Sequence, residues 1–360
     1  MKKEVTKRNA IISLFKFIFS IVIVIYHGKK LVGINKFEIA TLGYFCVDFF
    51  FIVSGYYFYK NILKLNEKKD LDIYKENVKM IITKLKRFLP YTIISGLLAI
   101  ILFYIMKELK ITNALMSIFN LFLIDMVGLK GYTINGPIWY ISSMLIIFFI
   151  LCPIIYKLKD KYIYYICPLI IMFGLGYMYN KYSTLNLHRS KWNGFLFSGT
   201  IKALVEINIG ILLYNISNKI KEVLNKKNNI IMYLLNIAYI LGYIFILLFM
   251  LFYKKSGVLD YFVLLVISIT LLLNFSDEIF SIKLDSKFTR YLEKISLPIF
   301  VNHFMFLNYF YYIGKRYTMD FYKYLILYVS CTIVFSIIEQ FIIDLLKSRK
   351  VIKEYGYEKK

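Results

Sequence analysis

Acidic side chains, cysteine, proline, tryptophan and histidine are all scarce in this chain of 360 residues: Asp and Glu together number 22 against 46 Lys and Arg, with four Cys, five Pro, two Trp and three His. Each scarcity closes off a reading. Cys46, Cys152, Cys167 and Cys331 all fall inside apolar runs, with no CxxC and no His/Cys cluster at metal-ligand spacing, so neither a disulfide framework nor a metal site is indicated. No low-complexity linker and no internal repeat breaks the chain, which argues against several domains or a solenoid. The organisation expected is one domain over residues 1–346 and a short basic tail, 347–360.

What the chain has in abundance is apolar length. Hydrophobic residues make up 59% and aromatics 19%, with a mean hydropathy of +0.62, too high and too evenly spread for a soluble core with a polar surface. The fold class is therefore all-α, a polytopic bundle in a lipid bilayer. At about 20 residues per span, about ten transmembrane helices are expected, at 9–28, 38–59, 89–107, 138–156, 162–180, 199–215, 230–252, 258–275, 291–312 and 322–346. Residues 112–127 are short and carry Asn113, Asn120 and Asp125, which suits an interfacial or re-entrant helix better than another span. The basic start, Met1 to Arg8, imitates a signal peptide, but without a small-residue cleavage site it is expected to lead an uncleaved first span.

A net charge of +24 would suggest nucleic acid in a soluble protein. Here the charge lies between apolar segments, where membrane orientation explains it and no nucleic-acid partner is needed. Alternate loops hold 29 Lys and Arg on one side and 13 on the other, so both termini are expected in the cytoplasm.

Ionisable residues within spans cost about 2.5–3.5 kcal/mol each on insertion scales and commonly mark a site. Lys16 and His27 share the first span, eleven residues apart, or about 16 Å along a helix. Asp48, taken as lying about 15 Å into a second span that begins near residue 38, is expected at the height of Lys16 and paired with it. That pair serves either function or helix register. His27 follows Tyr26 and reads as an interfacial ring or as a catalytic imidazole. Lys202 and Glu206 have i,i+4 spacing and can satisfy each other. His303 lies in the ninth expected span and His188 in an outer loop.

Around these positions the sequence resembles the acyltransferase type 3 family of integral-membrane acyltransferases. Lys16, ten residues, then Tyr26-His27-Gly28, with Gly43–Gly55 as GYFCVDFFFIVSG, is similar to the family's opening signature, with lysine for its usual arginine. Lys84 to Pro90 (KLKRFLP), Gly136 to Ser142 (GPIWYIS) and Ile295 to His303 (ISLPIFVNH) are similar to three later family motifs, in the family's order. The first of these is taken as the opening of the third span.

The resemblance implies transfer of an acyl group, acetyl in the usual case, from acyl-CoA to a hydroxyl of a cell-surface or exported glycan or a lipid-linked sugar, at a bacterial plasma membrane. It implies no permanently bound cofactor, since acyl-CoA is a donor substrate. His27 becomes the essential histidine, acting as general base or as an acyl-accepting nucleophile, with the base favoured because an acyl-imidazole hydrolyses readily. Lys16 and Asp48 fall on the donor side of the catalytic set. Lys84 and Arg87, with Lys86, are placed to receive CoA phosphates, while Trp139, Ser142 and His303 are placed toward the acceptor. Ser54 and Gly55 are read as helix packing. A stand-alone enzyme is expected. A transporter or flippase for a lipid-linked sugar is the rival, and a structural partner of a glycan-export machine a third reading.

Overall fold

Asn9 starts the first helix: its side-chain oxygen accepts the Ile12 amide at 3.0 Å, satisfying a donor that a helix start leaves free. The computed structural model describes residues 8–31, 39–68, 71–129, 131–188, 191–224, 229–276, 284–316 and 320–356. From Asn9 the chain runs through α1 (Ala10–Gly28), α2 (Phe45–Asn66), α3 (Ile73–Ile105), α4 (Ile111–Met116), α5 (Ile118–Leu121), α6 (Trp139–Leu158), α7 (Cys167–Tyr182), α8 (Ser198–Leu224), α9 (Asn229–Phe252), α10 (Leu259–Ser276), α11 (Lys287–Arg316) and α12 (Phe321–Gly356). Among the described residues there is no β-strand beyond one isolated bridge between Trp192 and Phe197.

Among the described residues eight segments are long and apolar enough to cross a membrane, those carrying α1, α3, α6, α7, α8, α9, α10 and α12. The remaining long helices, α2 with 22 residues and α11 with 30, fall short on apolarity and not on length. Packing explains α2. It buries thirteen of its 22 residues, so neighbouring helices, not lipid, set its composition, and polar groups are tolerated where they find partners. The apolar window of α9, only 22% buried within the bundle, must meet hydrocarbon and is correspondingly uniform.

Two glycines let α2 and α8 touch. A Cβ on Gly55 would sit 2.1 Å from the Ile207 carbonyl oxygen, and one on Gly210 would sit 2.0 Å from that of Ile52. Small residues at such crossings bring backbones together where lipid offers no hydrophobic drive between helices.

Two expectations need correction. The second helix begins at Phe45 and not near 38. The third begins at Ile73, capped by Asp72, whose carboxylate accepts the Tyr74 and Lys75 amides at 3.0 and 3.2 Å. Pro90 therefore lies inside α3, where it removes one helical hydrogen bond without ending the helix. The basic tail is helical as far as Gly356, as a continuation of α12. Residues 112–127 divide between α4, α5 and a 3₁₀ turn at Asp125–Val127, too short for any span, and Asn120 donates to the Asp125 carboxylate at 3.1 Å.

Candidate functional site

Two cavities lie at opposite ends of α1. One, of about 540 Å³, is lined by His27 with Tyr26, Lys29, Lys30, Trp139, His188, Lys202 and Phe304 among others. The other, of about 580 Å³, is lined by Lys16 with Arg8, Lys60, Lys64, Lys84, Arg87, Ser54 and Glu293 among others.

Several helix ends build the His27 cavity. His27 sits in the last turn of α1 and Trp139 is the first residue of α6. Asp48 comes three residues into α2 and Lys202 four into α8, each within about 6 Å of its helix start. Lys202 Nζ donates to Asp48 Oδ2 and to the Leu185 carbonyl, both at 2.7 Å, and stands 3.7 Å from Glu206 Oε1. Asp260, at the start of α10, accepts the Tyr44 and Thr184 hydroxyls at 2.9 and 2.7 Å and the Leu185 amide at 2.8 Å. The loop from Ser183 to His188 is thereby tied to α8 and α10. Its last residue is held by the Ser198 hydroxyl at 2.6 Å and the Gly199 amide at 3.0 Å, both donating to the His188 carbonyl.

The His27 ring is positioned by other rings. His303 stacks on it with centroids 5.1 Å apart, Tyr26 meets it edge-on at 4.9 Å and Phe304 at 6.0 Å. Its Nδ1 is buried without a hydrogen-bond partner. Among the described residues no carboxylate orients this imidazole, so packing does. His303 Nδ1 lies 2.7 Å from the Phe300 carbonyl; a carbonyl only accepts, so Nδ1 carries the proton and Nε2, buried and unpartnered, carries the lone pair.

Among the described residues, the formally charged side chains that line this cavity are all lysines, with Asp48, Glu206 and Asp260 set behind them. Lys29 Nζ lies 3.9 Å over the Tyr26 ring, and burial followed by the Lys30 ammonium lowers its pKa from the usual lysine value. Burial, then Lys30, Lys202 and Lys191, likewise hold His188 below the ordinary histidine value.

At the Lys16 end one carboxylate organises the wall. Glu293 accepts from Lys16 Nζ at 2.9 Å, from Arg8 Nε at 2.7 Å and from Ser13 at 2.8 Å. Lys84 Nζ sits 4.8 Å over the Phe148 ring. Six basic side chains and one acidic side chain line this cavity, a surplus suited to a polyanion.

Phe300 lines both cavities. It forms a triangle with Phe50 and Tyr140, with centroid separations of 6.0, 6.0 and 5.6 Å. The Tyr140 hydroxyl is 3.2 Å from that of Ser54, and Phe300 is 6.0 Å from the His303 ring. An aromatic partition therefore closes one cavity from the other.

The structure brings His27, His188 and Trp139 to one cavity and Lys16, Lys84 and Arg87 to the other. It overturns the Lys16–Asp48 pair: Lys16 bonds Glu293, and Asp48 bonds Lys202. The late start of α2 is the reason, because it raises Asp48 to the His27 end. Ser142 lines neither cavity; fully buried, it accepts the Met126 amide at 3.2 Å. His303 is buried behind His27 instead of lining a wall, and Lys86 lines neither cavity. Ser54 lines the Lys16 cavity, whereas Gly55 packs as expected.

Sequence reasoning missed the Asp48–Lys202 bond, the Glu293 clasp on Lys16 and the aromatic partition. The first two left a partial signal, since each charge inside an apolar segment requires a partner and Glu293 was one of several span carboxylates left unpaired, among them Asp260, Glu339 and Asp344. The partition left none, because phenylalanine is common everywhere in this chain.

The family model described as an acyltransferase domain matches residues 9–339, so the chain belongs to the acyltransferase type 3 family. No curated protein and no solved structure matches it.

Proposed function

We propose that this member of the acyltransferase family moves an acyl group, acetyl in the simplest case, from acyl-CoA in the Lys16 cavity to a glycan hydroxyl in the His27 cavity. The observation that carries this reading is the shared wall: two cavities of unlike chemistry, at the two ends of one helix, meet at the single side chain of Phe300. The bundle is read with ten membrane helices and both termini cytoplasmic in a bacterial plasma membrane, which puts the Lys16 cavity on the side where acyl-CoA is made.

In this reading Lys84, Arg87 and the neighbouring cations hold the CoA phosphates, and the pantetheine arm carries the thioester past a displaced Phe300. The imidazole of His27 takes the proton as the acceptor oxygen attacks the thioester carbonyl. The carbon–sulfur bond breaks, and the thiolate leaves with the proton that the imidazolium returns. Lys16, clasped by Glu293, contributes positive charge on the donor side, and Asp48 acts through Lys202 to fix the loop that bears His188.

The test is transfer from labelled acetyl-CoA by the purified chain. A general base contributes about 10²–10⁴-fold, so His27→Ala should lower transfer by that factor with unfolding temperature and acetyl-CoA binding retained. The partitioned cavities also have the layout of an alternating-access transporter. Acceptor movement across a vesicle membrane without any acyl transfer would replace the enzyme reading.

A further inference from the structure

The walls of the His27 cavity carry three lysines and two histidines, and among the described residues no aspartate or glutamate side chain lines them. Hydrogen-bond chemistry makes that composition informative. The hydroxyls of a neutral sugar need acceptors as well as donors, whereas an ammonium offers three donors and no acceptor. Lys202 is already committed, bonded to Asp48 and to the Leu185 carbonyl. Lys29 and Lys30 are not. They form no ion pair among the described residues, and their ammonium groups lie over two rings of the same cavity, 3.9 Å from the Tyr26 centroid and 5.6 Å from that of Phe304. Those two rings are also the edge-on neighbours of His27. A group held between Lys29 and Lys30 therefore lies beside the imidazole.

We propose that the acceptor is an anionic glycan, one bearing a carboxylate or phosphodiester that Lys29 and Lys30 hold while a neighbouring hydroxyl faces His27. That the held molecule is an acceptor rests on the function proposed above; that the cavity takes an anion rests on its walls. Uncompensated cations grouped at a binding surface favour and steer a partner of opposite charge. The depressed pKa values of Lys29 and His188, each with neighbouring lysines among its causes, agree with walls lined by cations.

Binding and transfer test this separately. The full chain carrying Trp192→Phe, which leaves Trp139 as the one tryptophan, is placed in phosphatidylcholine nanodiscs and titrated with maltohexaose, hexagalacturonate and a glycerol-phosphate oligomer. Trp139 emission should respond to one or both anionic oligomers at concentrations at least tenfold below those needed for maltohexaose, and the response should weaken with salt. Lys29→Gln/Lys30→Gln should weaken that binding tenfold or more, and Lys29→Arg/Lys30→Arg should restore it. With labelled acetyl-CoA, the same Gln pair should raise the KM for the anionic acceptor by a similar factor and leave kcat within about twofold. Which oligomer responds decides between carboxylate and phosphate.

Equal or tighter binding of maltohexaose overturns the proposal. So does anionic binding untouched by the Gln pair. A dependence on Lys29 and Lys30 seen only as a response to phosphatidylglycerol in the discs assigns the two lysines to lipid headgroups and likewise overturns it. Anionic binding through Lys29 and Lys30 without acyl transfer upholds the anion site and sinks the acyltransferase reading instead.

Discussion

The two cavities differ in how they hold their cations. At the Lys16 end the ion pair is partly in water, with side chains 25% exposed on both Lys16 and Glu293; at the His27 end Lys202 and Asp48 are 1% and 0% exposed. The first arrangement can exchange a carboxylate for a phosphate at modest cost. The second cannot, because a charge stranded away from water is expensive. In the proposed function one end receives a mobile polyanion, while at the other a fixed pair secures the loop and leaves Lys29 and Lys30 for a ligand.

Removing one partner at each end is the sharpest way to break this comparison. Lys202→Met strands Asp48 and Glu206 and should cost about 3–5 kcal/mol, seen as a large fall in unfolding temperature in detergent and rescued in part by also introducing Asp48→Asn. Next comes Gly210→Ala, whose new methyl would strike the Ile52 carbonyl and should cost about 1–3 kcal/mol by forcing α2 from α8; the same measurement reads it. Arg87→Gln should leave stability alone and raise the KM for acetyl-CoA roughly tenfold, the scale of one lost charge-assisted hydrogen bond, with the acceptor KM unmoved. Lys16→Met should cost the fold least, within about 1 kcal/mol, as expected of a partly exposed pair whose carboxylate keeps Arg8 as a partner. Equal losses for Lys16→Met and Lys202→Met would erase the distinction drawn between the two ends.

The sequence conveyed the bundle well and its interior poorly, for one physical reason. Hydropathy reports how apolar a helix is and not what it packs against: α1, α6 and α9 stand out although the apolar window of α6 is 67% buried, while α2 and α11, which carry Asp48, Glu293 and His303, look least like membrane helices. The same blindness misplaced the start of α2 by seven residues and, with it, the partner of Asp48. Motif order located His27, Trp139, Lys84 and Arg87 on cavity walls, because those signals are local to one segment. Lys202 and Phe300 depend on which helices become neighbours, and spacing along the chain carries no such information. Lys29 and Lys30 were legible only as loop charge; their role needed the rings beneath them.

The triangle of Phe50, Tyr140 and Phe300 also has an electrical consequence. Two water-accessible vestibules reaching toward each other through a bilayer leave most of the membrane voltage to drop across whatever separates them, and each elementary charge crossing 100 mV exchanges about 2.3 kcal/mol. Three rings packed edge-on and tilted against one another form a thin insulator at that point. In the function proposed above, the thioester that slips between them is uncharged and crosses without electrical work, whereas protons and salts meet hydrocarbon, so such a partition passes cargo without short-circuiting the membrane.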